Sequence, residues 1–291
     1  MRSMARMVGI HGIGKTYDTG PELEPEWGPA IAGGLREAGF REQADRVAAE
    51  LRVASYGSLF RREGVLNLGP PRMTADDLSS QAERDWITTL YEAAVAEEPT
   101  LAPAPGSLVA TPVSLKALVH KLLQSPAFAG VSESLLVGSL RQVVAYLNDE
   151  KVRARVHERV QAEVSDDTTV LIGHSLGSVV AHQFLTAGHG PDIRLLVTLG
   201  SPLGISNLVF DKLRPAPMDG RGAWPGGVER WVNVVEPHDF VAMVTQLRPL
   251  FGPGPDGAQV EDIGVSNGWS AHSVKRYLNP RAVGEVLGPW L

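Results

Sequence analysis

The sequence predicts an α/β fold in which a mostly parallel sheet is flanked by helices. In the C-terminal half, short apolar runs alternate with segments whose apolar residues recur at helical spacing. The predicted elements are a helix at Lys151–Val164, a strand at Thr168–Ile172, a helix at Leu176–Ala187, a strand at Ile193–Leu199, a helix at Ile205–Leu213 and a strand at Arg230–Val235. Strands separated by helices pair in parallel through right-handed crossovers, which places helices on both faces of the sheet.

The N-terminal part of the chain adds two strands and a helix. Met7–Ile10 is a compact apolar run that stops at the turn-forming sequence His11–Gly14, so it predicts a short buried strand. Glu26–Gly39 has apolar residues at helical spacing and ends in a glycine, which predicts a helix. Leu51–Tyr56 then predicts a second strand.

Residues 57–147 interrupt this alternation and predict helices only. The candidates are Ala75–Glu98, Ser114–Leu123 and Glu133–Leu147. We interpret the block as a helical insertion, 57–147, within a single domain that spans residues 1–291. Its apolar helix faces serve either ordinary core packing or a mobile lid over an active site, and the sequence leaves both interpretations open.

Composition excludes several classes of function. The formal net charge is −6, so the chain lacks the basic excess with which proteins bind nucleic acids or anionic membranes. It contains no cysteine, which excludes disulfides, thiolate metal sites and a cysteine nucleophile. No apolar run approaches the roughly 18 residues of a membrane span, and no signal-peptide core precedes Gly9. We therefore expect a cytoplasmic protein that is not integral to a membrane.

The most specific motif is Gly173-His-Ser-Leu-Gly177, which directly follows an apolar strand and directly precedes a helix. A sharp strand-to-helix turn lifts the Ser175 hydroxyl into the open, and flanking glycines let the backbone crowd there without a Cβ clash. The N-terminus of the helix also favours negative charge that develops nearby. The pattern predicts that Ser175 is a nucleophile and not part of an ordinary glycine-rich turn.

In this context the motif resembles the nucleophile elbow of α/β-hydrolase lipases and esterases, and the chain looks similar to GPI-inositol-deacylase-like lipases. The resemblance implies the α/β-hydrolase fold, with 57–147 as a cap, and a triad in the chain order serine, acid, histidine. It also implies that the first two strands of the family fold are missing, because the chain starts on the strand that carries the oxyanion loop. Ser201 lies in a Gly-Ser-Pro turn that many lipase-like chains share, and we expect it to be structural.

The base is sought among the histidines after Ser175, because a serine hydroxyl is a poor nucleophile until an imidazole takes its proton. His182 and His189 lie in the next helix or at its end, where they would point away from the carboxyl edge of the sheet. His272 lies at the start of a short helix, as the family histidine usually does. It is favoured over His238, for which a solvated loop position is the alternative.

The acid should follow a strand between the nucleophile and the base, so that its carboxylate can orient the imidazole. Asp239 follows the strand Arg230–Val235 through a proline-containing turn and resembles the family acid. Glu236 is the nearest competitor. Asp262 is a weaker one because it lies within a strand-like run.

Two backbone N–H groups are candidates for the oxyanion hole. The Leu176 N–H follows the nucleophile directly. The resemblance assigns the second donor to Ile13, since in lipases the residue after a His-Gly pair donates its N–H. His11 itself is expected to brace the loop. This chemistry requires neither a metal nor an organic cofactor.

The segment Gly9–Thr16 also satisfies the P-loop pattern G-x-x-x-x-G-K-T, which favours a nucleotide-binding protein. A P-loop needs a helix that begins at its lysine and threonine, so that helix N–H groups face the phosphates. Here Pro21 and Pro25 follow soon after Lys15 and would break such a helix. No later apolar strand ends in the aspartate that would hold Mg²⁺.

The sequence thus predicts a serine ester hydrolase, of carboxylesterase or lipase type, that works through Ser175, His272 and Asp239 and an acyl-enzyme intermediate. The expected partner is a small-molecule or lipid ester, with thioesters and amides less favoured. Two alternatives stay open: nucleotide binding through Gly9–Thr16, and a binding module on the same fold with a silent site. The sequence does not indicate an oligomeric state.

Overall fold

A computed structural model of the chain describes residues 6–16, 18–60, 73–102, 114–125, 128, 131–190, 192–268 and 271–291. Within these ranges the strands are β1 Met7–Ile10, β2 Leu51–Ala54, β3 Val170–His174, β4 Leu195–Leu199, β5 Arg230–Val235 and β6 Glu261–Gly264. They form one sheet in the order β2-β1-β3-β4-β5-β6, and every neighbouring pair is parallel. The predicted α/β fold with a parallel sheet flanked by helices is confirmed.

Helices cover both faces of this sheet. They are α1 Gly20–Glu37, α2 Arg41–Glu50, α3 Gln81–Glu97, α4 Leu115–Gln124, α5 Glu133–Asn148, α6 Glu150–Gln161, α7 Leu176–Thr186, α8 Val274–Leu278 and α9 Arg281–Leu287. No helix in the described ranges combines the length and the apolarity needed to cross a bilayer.

The strands from β1 to β5 are largely apolar and buried, because the sheet has a core on each face, whereas the edge strand β6 is polar and partly exposed. Alternate strand residues such as Met7 and Ile172 pack with α1, α2, α8 and α9 on one face. Their neighbours Val8 and Leu171 pack with α3 to α7 on the other. Side chains alternate across a strand, so a sheet that is covered on both faces needs apolar residues at consecutive positions.

Two helical segments at the N-terminal end differ from the sequence-based expectation. Helix α1 begins at Gly20 and not at Glu26, because Thr19 and Glu22 form a capping box and Pro21 occupies the first turn, where its missing N–H costs nothing. Helix α2 was not predicted, since only Ala44 and Val47 on it are buried and its apolar signal is weak.

The helix predicted at Ile205–Leu213 is wrong. The segment forms successive turns and only a single 3₁₀ turn at Phe210–Lys212. Asn207 has a positive φ of 62°, which an α-helix does not accommodate, and its N–H donates a 2.6 Å hydrogen bond to Asp211.

The block 57–147 contains α3, α4 and α5 in its described part. Buried residues of these helices, among them Ile87, Leu122 and Leu140, join the apolar core that also contains Val8 and Leu171 of the sheet. Residues 61–72 and 103–113 of the block lie outside the described ranges. That the block is an insertion in a single domain, that it acts as a cap or lid, and that two family strands are missing all stay predictions.

Candidate active site

Ser175 occupies the sharp turn between β3 and α7, with φ 55° and ψ −129°. Residues with a side chain rarely adopt this conformation, so the turn is strained. Two glycines permit it. A Cβ on Gly173 would lie 2.5 Å from the carbonyl oxygen of Gly177, and one on Gly177 would overlap the carbonyl oxygen of Ile10. The first turn of α7 is therefore packed against the carboxyl end of β1.

His272 and Asp239 lie together at the same edge of the sheet. The Nδ1–H of His272 donates a 2.7 Å hydrogen bond to Oδ2 of Asp239. The Nε2 atom of His272 is buried and has no hydrogen-bond partner among the described residues, and the same holds for Oγ of Ser175. A base for Ser175 needs an imidazole whose far nitrogen is free to accept a proton, and this is the state of His272.

The carboxylate of Asp239 is buried and tightly bonded. Burial alone would raise its pKa, but the charge and hydrogen bond of His272, together with hydrogen bonds from Tyr277 and the Val241 N–H, lower the pKa below its usual value. The Tyr277 hydroxyl is 2.6 Å from Oδ2 of Asp239, and the Val241 N–H is 2.9 Å from Oδ1. Asp239 is therefore an anion at neutral pH, able to stabilise a positive charge on His272.

The residues that the sequence offered as alternatives to His272 and Asp239 lie in other surroundings. His238 is exposed. The Glu236 carboxylate is buried and accepts hydrogen bonds from the N–H groups of Asn267 and His238. The carboxylate of Asp262 accepts bonds from the side chain of Asn233 and from two backbone N–H groups, so it braces a loop.

The histidines of the helix after the elbow point elsewhere, as their positions in the sequence suggested. The Nε2–H of His182 donates a 2.9 Å hydrogen bond to the Ala223 carbonyl, and burial lowers the pKa of His182 to about 4. The ring of His189 packs on Phe184 and His157. Neither is bonded to a residue of the candidate triad.

His174, directly before the nucleophile, ties His272 to the elbow. Its Nε2–H donates a 3.1 Å hydrogen bond to the His272 carbonyl, and the two rings lie 4.7 Å apart. Burial and the neighbouring His272 lower the pKa of His174 to about 3. A neutral imidazole therefore packs against the candidate base, and this contact ties His272 to the residue that directly precedes Ser175.

The oxyanion loop lies beside the nucleophile. A Cβ on Gly12 would lie 2.7 Å from Cβ of Ser175, so the loop that carries Ile13 packs against the elbow. Leu176 is the first residue of α7, and its N–H has no carbonyl acceptor within the helix. That the Ile13 and Leu176 N–H groups form an oxyanion hole stays a prediction.

His11 braces this loop. Its ring stacks on Tyr56 at 4.2 Å, its Nε2 accepts the Tyr56 N–H, and its carbonyl accepts the Tyr56 hydroxyl. Burial lowers the pKa of His11 to about 4. The imidazole is therefore neutral and occupied with internal bonds.

The P-loop hypothesis lacks its helix. Lys15 and Thr16 lie in irregular backbone, and α1 begins only at Gly20. The Lys15 ammonium is 2.8 Å from Glu26 and 3.6 Å from Asp18, so carboxylates of the chain already neutralise the charge that would hold a phosphate.

Ser201 braces the elbow from the next strand. The hydroxyl of Ser178 contacts both the Ser175 carbonyl, at 2.6 Å, and the Ser201 hydroxyl, at 2.7 Å. The Leu203 N–H donates to Ser201 as well. The Ser201 oxygen thus accepts two hydrogen bonds and ties the first turn of α7 to the turn after β4.

Helix α5 of the 57–147 block contacts the oxyanion loop. A Cβ on Gly14 would lie 2.8 Å from Leu135 Cδ1, and the Gln142 side-chain amide donates a 2.8 Å hydrogen bond to the hydroxyl of Thr16. Leu135 is 41% exposed, which is unusual for a leucine and leaves apolar surface beside the loop.

Two large open clefts lie away from this edge. One, of about 1250 Å³, runs along β6 and is lined by Arg248, Phe251 and Asp262 among others. The other, of about 760 Å³, lies between α6 and the end of α7, beside His157 and His189. Size alone would favour them, but neither is lined by a serine, so the buried edge around Ser175 is the better candidate site. In the described ranges no group of three or more histidine, aspartate or glutamate side chains could hold a metal ion.

Sequence reasoning did not identify two residues of this site. Tyr277 and His174 bond to Asp239 and His272, respectively, across long stretches of chain. His174 is the variable residue of the Gly-x-Ser-x-Gly pattern, and Tyr277 lies five positions after His272 on α8. The proximity of Tyr277 to the predicted base was the one signal that could have suggested it.

Comparison with known proteins gives one family match. Residues 135–215 match the PGAP1-like alpha/beta domain, which represents GPI-inositol-deacylase-like lipases. The match runs from α5 through the elbow to the loop after β4, and it includes neither Asp239 nor His272. No curated protein and no solved structure matches the chain significantly. The family match and the parallel sheet together fit an α/β-hydrolase-like serine hydrolase, of a lipase- or esterase-like kind.

Proposed function

We propose that the chain is a serine ester hydrolase in which Ser175 is the nucleophile, His272 the base and Asp239 the carboxylate that orients His272. One observation carries the proposal: the His272 imidazole is bonded through Nδ1 to a buried aspartate, while its Nε2 and the Ser175 Oγ are both buried and accept no hydrogen bond from the described residues, nor from each other. Unpaired buried polar atoms are rare in proteins and cost free energy, so they mark groups reserved for a ligand or a reaction.

The reaction follows from these positions. His272 Nε2 takes the hydroxyl proton as Ser175 Oγ adds to the acyl carbonyl of the ester. The tetrahedral oxyanion accepts hydrogen bonds from the N–H groups of Ile13 and Leu176, each worth about 3 kcal/mol. When the C–O bond to the alcohol breaks, His272 gives its proton to the departing alkoxide, which leaves an acyl group on Ser175. Water, activated by His272, then hydrolyses this ester and restores the serine.

An ester is the substrate class that this geometry supports best, carried by a small molecule or a lipid. The strained elbow supports catalysis over a silent binding module, because a binding role alone gives no reason to keep a side chain at positive φ. Nucleotide binding receives no comparable support, since Lys15 is already paired with Glu26.

The test is the intact mass of the protein after treatment with a fluorophosphonate, which phosphonylates activated serines. We expect one adduct on the wild type, none on Ser175→Ala, and an unchanged adduct on Ser165→Ala, a control in the loop before β3. Two adducts, or one that persists in Ser175→Ala, would place the reactive serine elsewhere.

Steady-state hydrolysis of a p-nitrophenyl ester gives the second readout. Ser175→Ala and His272→Ala should each lower kcat by at least about 10³-fold, because triad members act as a unit. Ser175→Ala should not unfold the protein, since the lost hydroxyl is unbonded, and in His272→Ala the Asp239 carboxylate keeps its hydrogen bonds from Tyr277 and the Val241 N–H. Undiminished hydrolysis in either variant would refute the proposed function.

A further inference from the structure

Oδ2 of Asp239 accepts two hydrogen bonds from fixed donors. One is the Nδ1–H of His272 at 2.7 Å, and the other is the hydroxyl of Tyr277 at 2.6 Å. Because both donors converge on the same oxygen, whatever holds Tyr277 also fixes the point to which His272 is bonded.

The direction of the Tyr277 bond is determined by a third group. The Glu236 N–H lies 3.1 Å from the Tyr277 oxygen, and an amide N–H can only donate. A phenol has a single hydrogen, and with its oxygen accepting from Glu236 that hydrogen points to Asp239. The chain of bonds runs from Glu236 N–H through Tyr277 O–H to Asp239, which His272 approaches from the other side.

The ring of Tyr277 cannot easily move away. Tyr277 is fully buried on α8. Gly200, in the turn after β4, packs on both partners: a Cβ there would lie 2.8 Å from Oδ2 of Asp239 and 2.9 Å from the tyrosine ring. The glycine has a φ of 53° and thus fits a turn that leaves room for the pair.

We propose that Tyr277 is a positioning residue of the hydrolase: it holds Asp239 Oδ2 where His272 needs it and shares the negative charge that would otherwise act on His272 alone. This inference rests on the proposed function. Tyr277 is a residue that works through Asp239 and does not touch the substrate.

Tyr277→Phe tests the proposal because it removes only the hydroxyl. We expect kcat for a p-nitrophenyl ester to fall about tenfold to a hundredfold, the usual effect of losing a group that orients a functional side chain, while KM stays unchanged. Tyr146→Phe is the matched control, since it removes another buried tyrosine hydroxyl, bonded to His157 at 3.0 Å and not to the triad.

The pH profile of kcat/KM distinguishes an effect of Tyr277 on the charge of Asp239 from a mere loss of its hold on the position of Asp239. The titratable groups around His272 are Asp239 after β5, His174 at the end of β3 and Tyr277 on α8; Lys15 acts on His174 from farther away. His174 stays neutral, so Asp239 supplies the charge that His272 feels. Without the tyrosine hydroxyl this charge is undivided, and the acid limb of the profile should move to higher pH.

A double-mutant comparison shows whether Tyr277 acts through Asp239. In an Asp239→Asn background, adding Tyr277→Phe should change kcat by less than about twofold, whereas an unrelated structural effect would add its full loss. Gly200→Ala, whose Cβ would crowd both the Asp239 oxygen and the ring of Tyr277, should reproduce the fall in kcat and so tests the pair if Tyr277→Phe fails to fold.

The possible outcomes distinguish a failure of this inference from a failure of the proposed function. Wild-type kcat and an unmoved acid limb in folded Tyr277→Phe, or a full additive loss in the Asp239→Asn background, would overturn the inference while leaving the proposed function intact. If Ser175→Ala hydrolyses the ester as fast as wild type, the proposed function itself fails, whatever Tyr277 does.

Discussion

Gly12 shows how closely the two halves of the candidate site approach each other. Its missing Cβ would lie 2.7 Å from Cβ of Ser175 and 3.1 Å from the carbonyl oxygen of His174. These neighbours belong to the strained elbow and cannot move aside without changing the turn. A side chain at position 12 must instead displace the loop that carries the Ile13 N–H.

We therefore expect Gly12→Ala to lower kcat for an ester by at least about tenfold, because an oxyanion donor displaced by a fraction of an ångström loses much of its effect. Gly264→Ala, on β6, is the control, since a Cβ there meets nothing within 4 Å. Hydrolysis rates and melting temperatures would be compared. Equal kcat for the two alanine variants would contradict this account of the loop.

At the residue level, local signals were readable from the sequence and distant bonds were not. Ser175 could be predicted because strand, glycines and helix are contiguous around it. Asp239 and His272 could be named only through the chain order of a resembling family. Tyr277 gives only a weak signal, its nearness to His272 in the chain, because its role depends on a hydrogen bond to a residue 38 positions away.

Helix α5 is the element that joins the 57–147 block to the candidate site. Leu135 contacts Gly14, and Gln142 bonds to Thr16, so one face of the helix follows the oxyanion loop. Because Leu135 is partly exposed there, an apolar part of a substrate that reaches Ile13 would meet it.

Leu135→Ala should therefore reduce kcat/KM for a long-chain p-nitrophenyl ester more than for the acetate, by about tenfold, the value of burying one such side chain. Met218→Ala, which truncates another exposed apolar side chain, in a turn, should leave the ratio unchanged. The measurement is kcat/KM across an acyl-length series. A proportional loss for all chain lengths would assign Leu135 to loop support alone.

Elements were predictable where burial decides the conformation. Strands such as β1 and β4 are buried at every position, because both faces of the sheet are covered. The Ile205–Leu213 segment has apolar residues at helical spacing, yet its conformation depends on the positive φ of Asn207. Spacing does not encode such a backbone angle.

Across the whole molecule, four buried histidines are held neutral. Burial is the main cause that lowers the pKa of His11, His157 and His182 to about 4 and that of His174 to about 3. In the unfolded chain each would titrate near its ordinary value of 6.5. Between these values the unfolded state binds more protons than the native state, so the free energy of unfolding falls as pH falls.

We expect the melting temperature to drop steadily from pH 6.5 toward pH 4, with each histidine contributing at most about 1.4 kcal/mol per pH unit. The pKa of Asp239 is lowered in the folded protein, so this residue contributes a further loss of stability only when the pH falls below the ordinary pKa range of an aspartate. Calorimetry across this window would check the slope. His182→Gln should make the fall in melting temperature with pH less steep, whereas the substitution His120→Gln, at an exposed position, should leave it unchanged. The same slope in both variants would argue against buried neutral histidines as the cause of the fall.

The register of the sheet has a consequence for the order in which the chain folds. Ile10 pairs with Ala54 on one side of β1 and with Gly173 on the other. The second partner lies about 160 residues farther along the chain, and closing so long a loop is slow and entropically costly. During synthesis β1 and β2 emerge long before β3, which leaves an apolar strand edge without a partner. Until β3 is synthesised, that edge is a site for mispairing with another nascent chain. It is therefore the part of the chain that a chaperone would have to protect for the longest time.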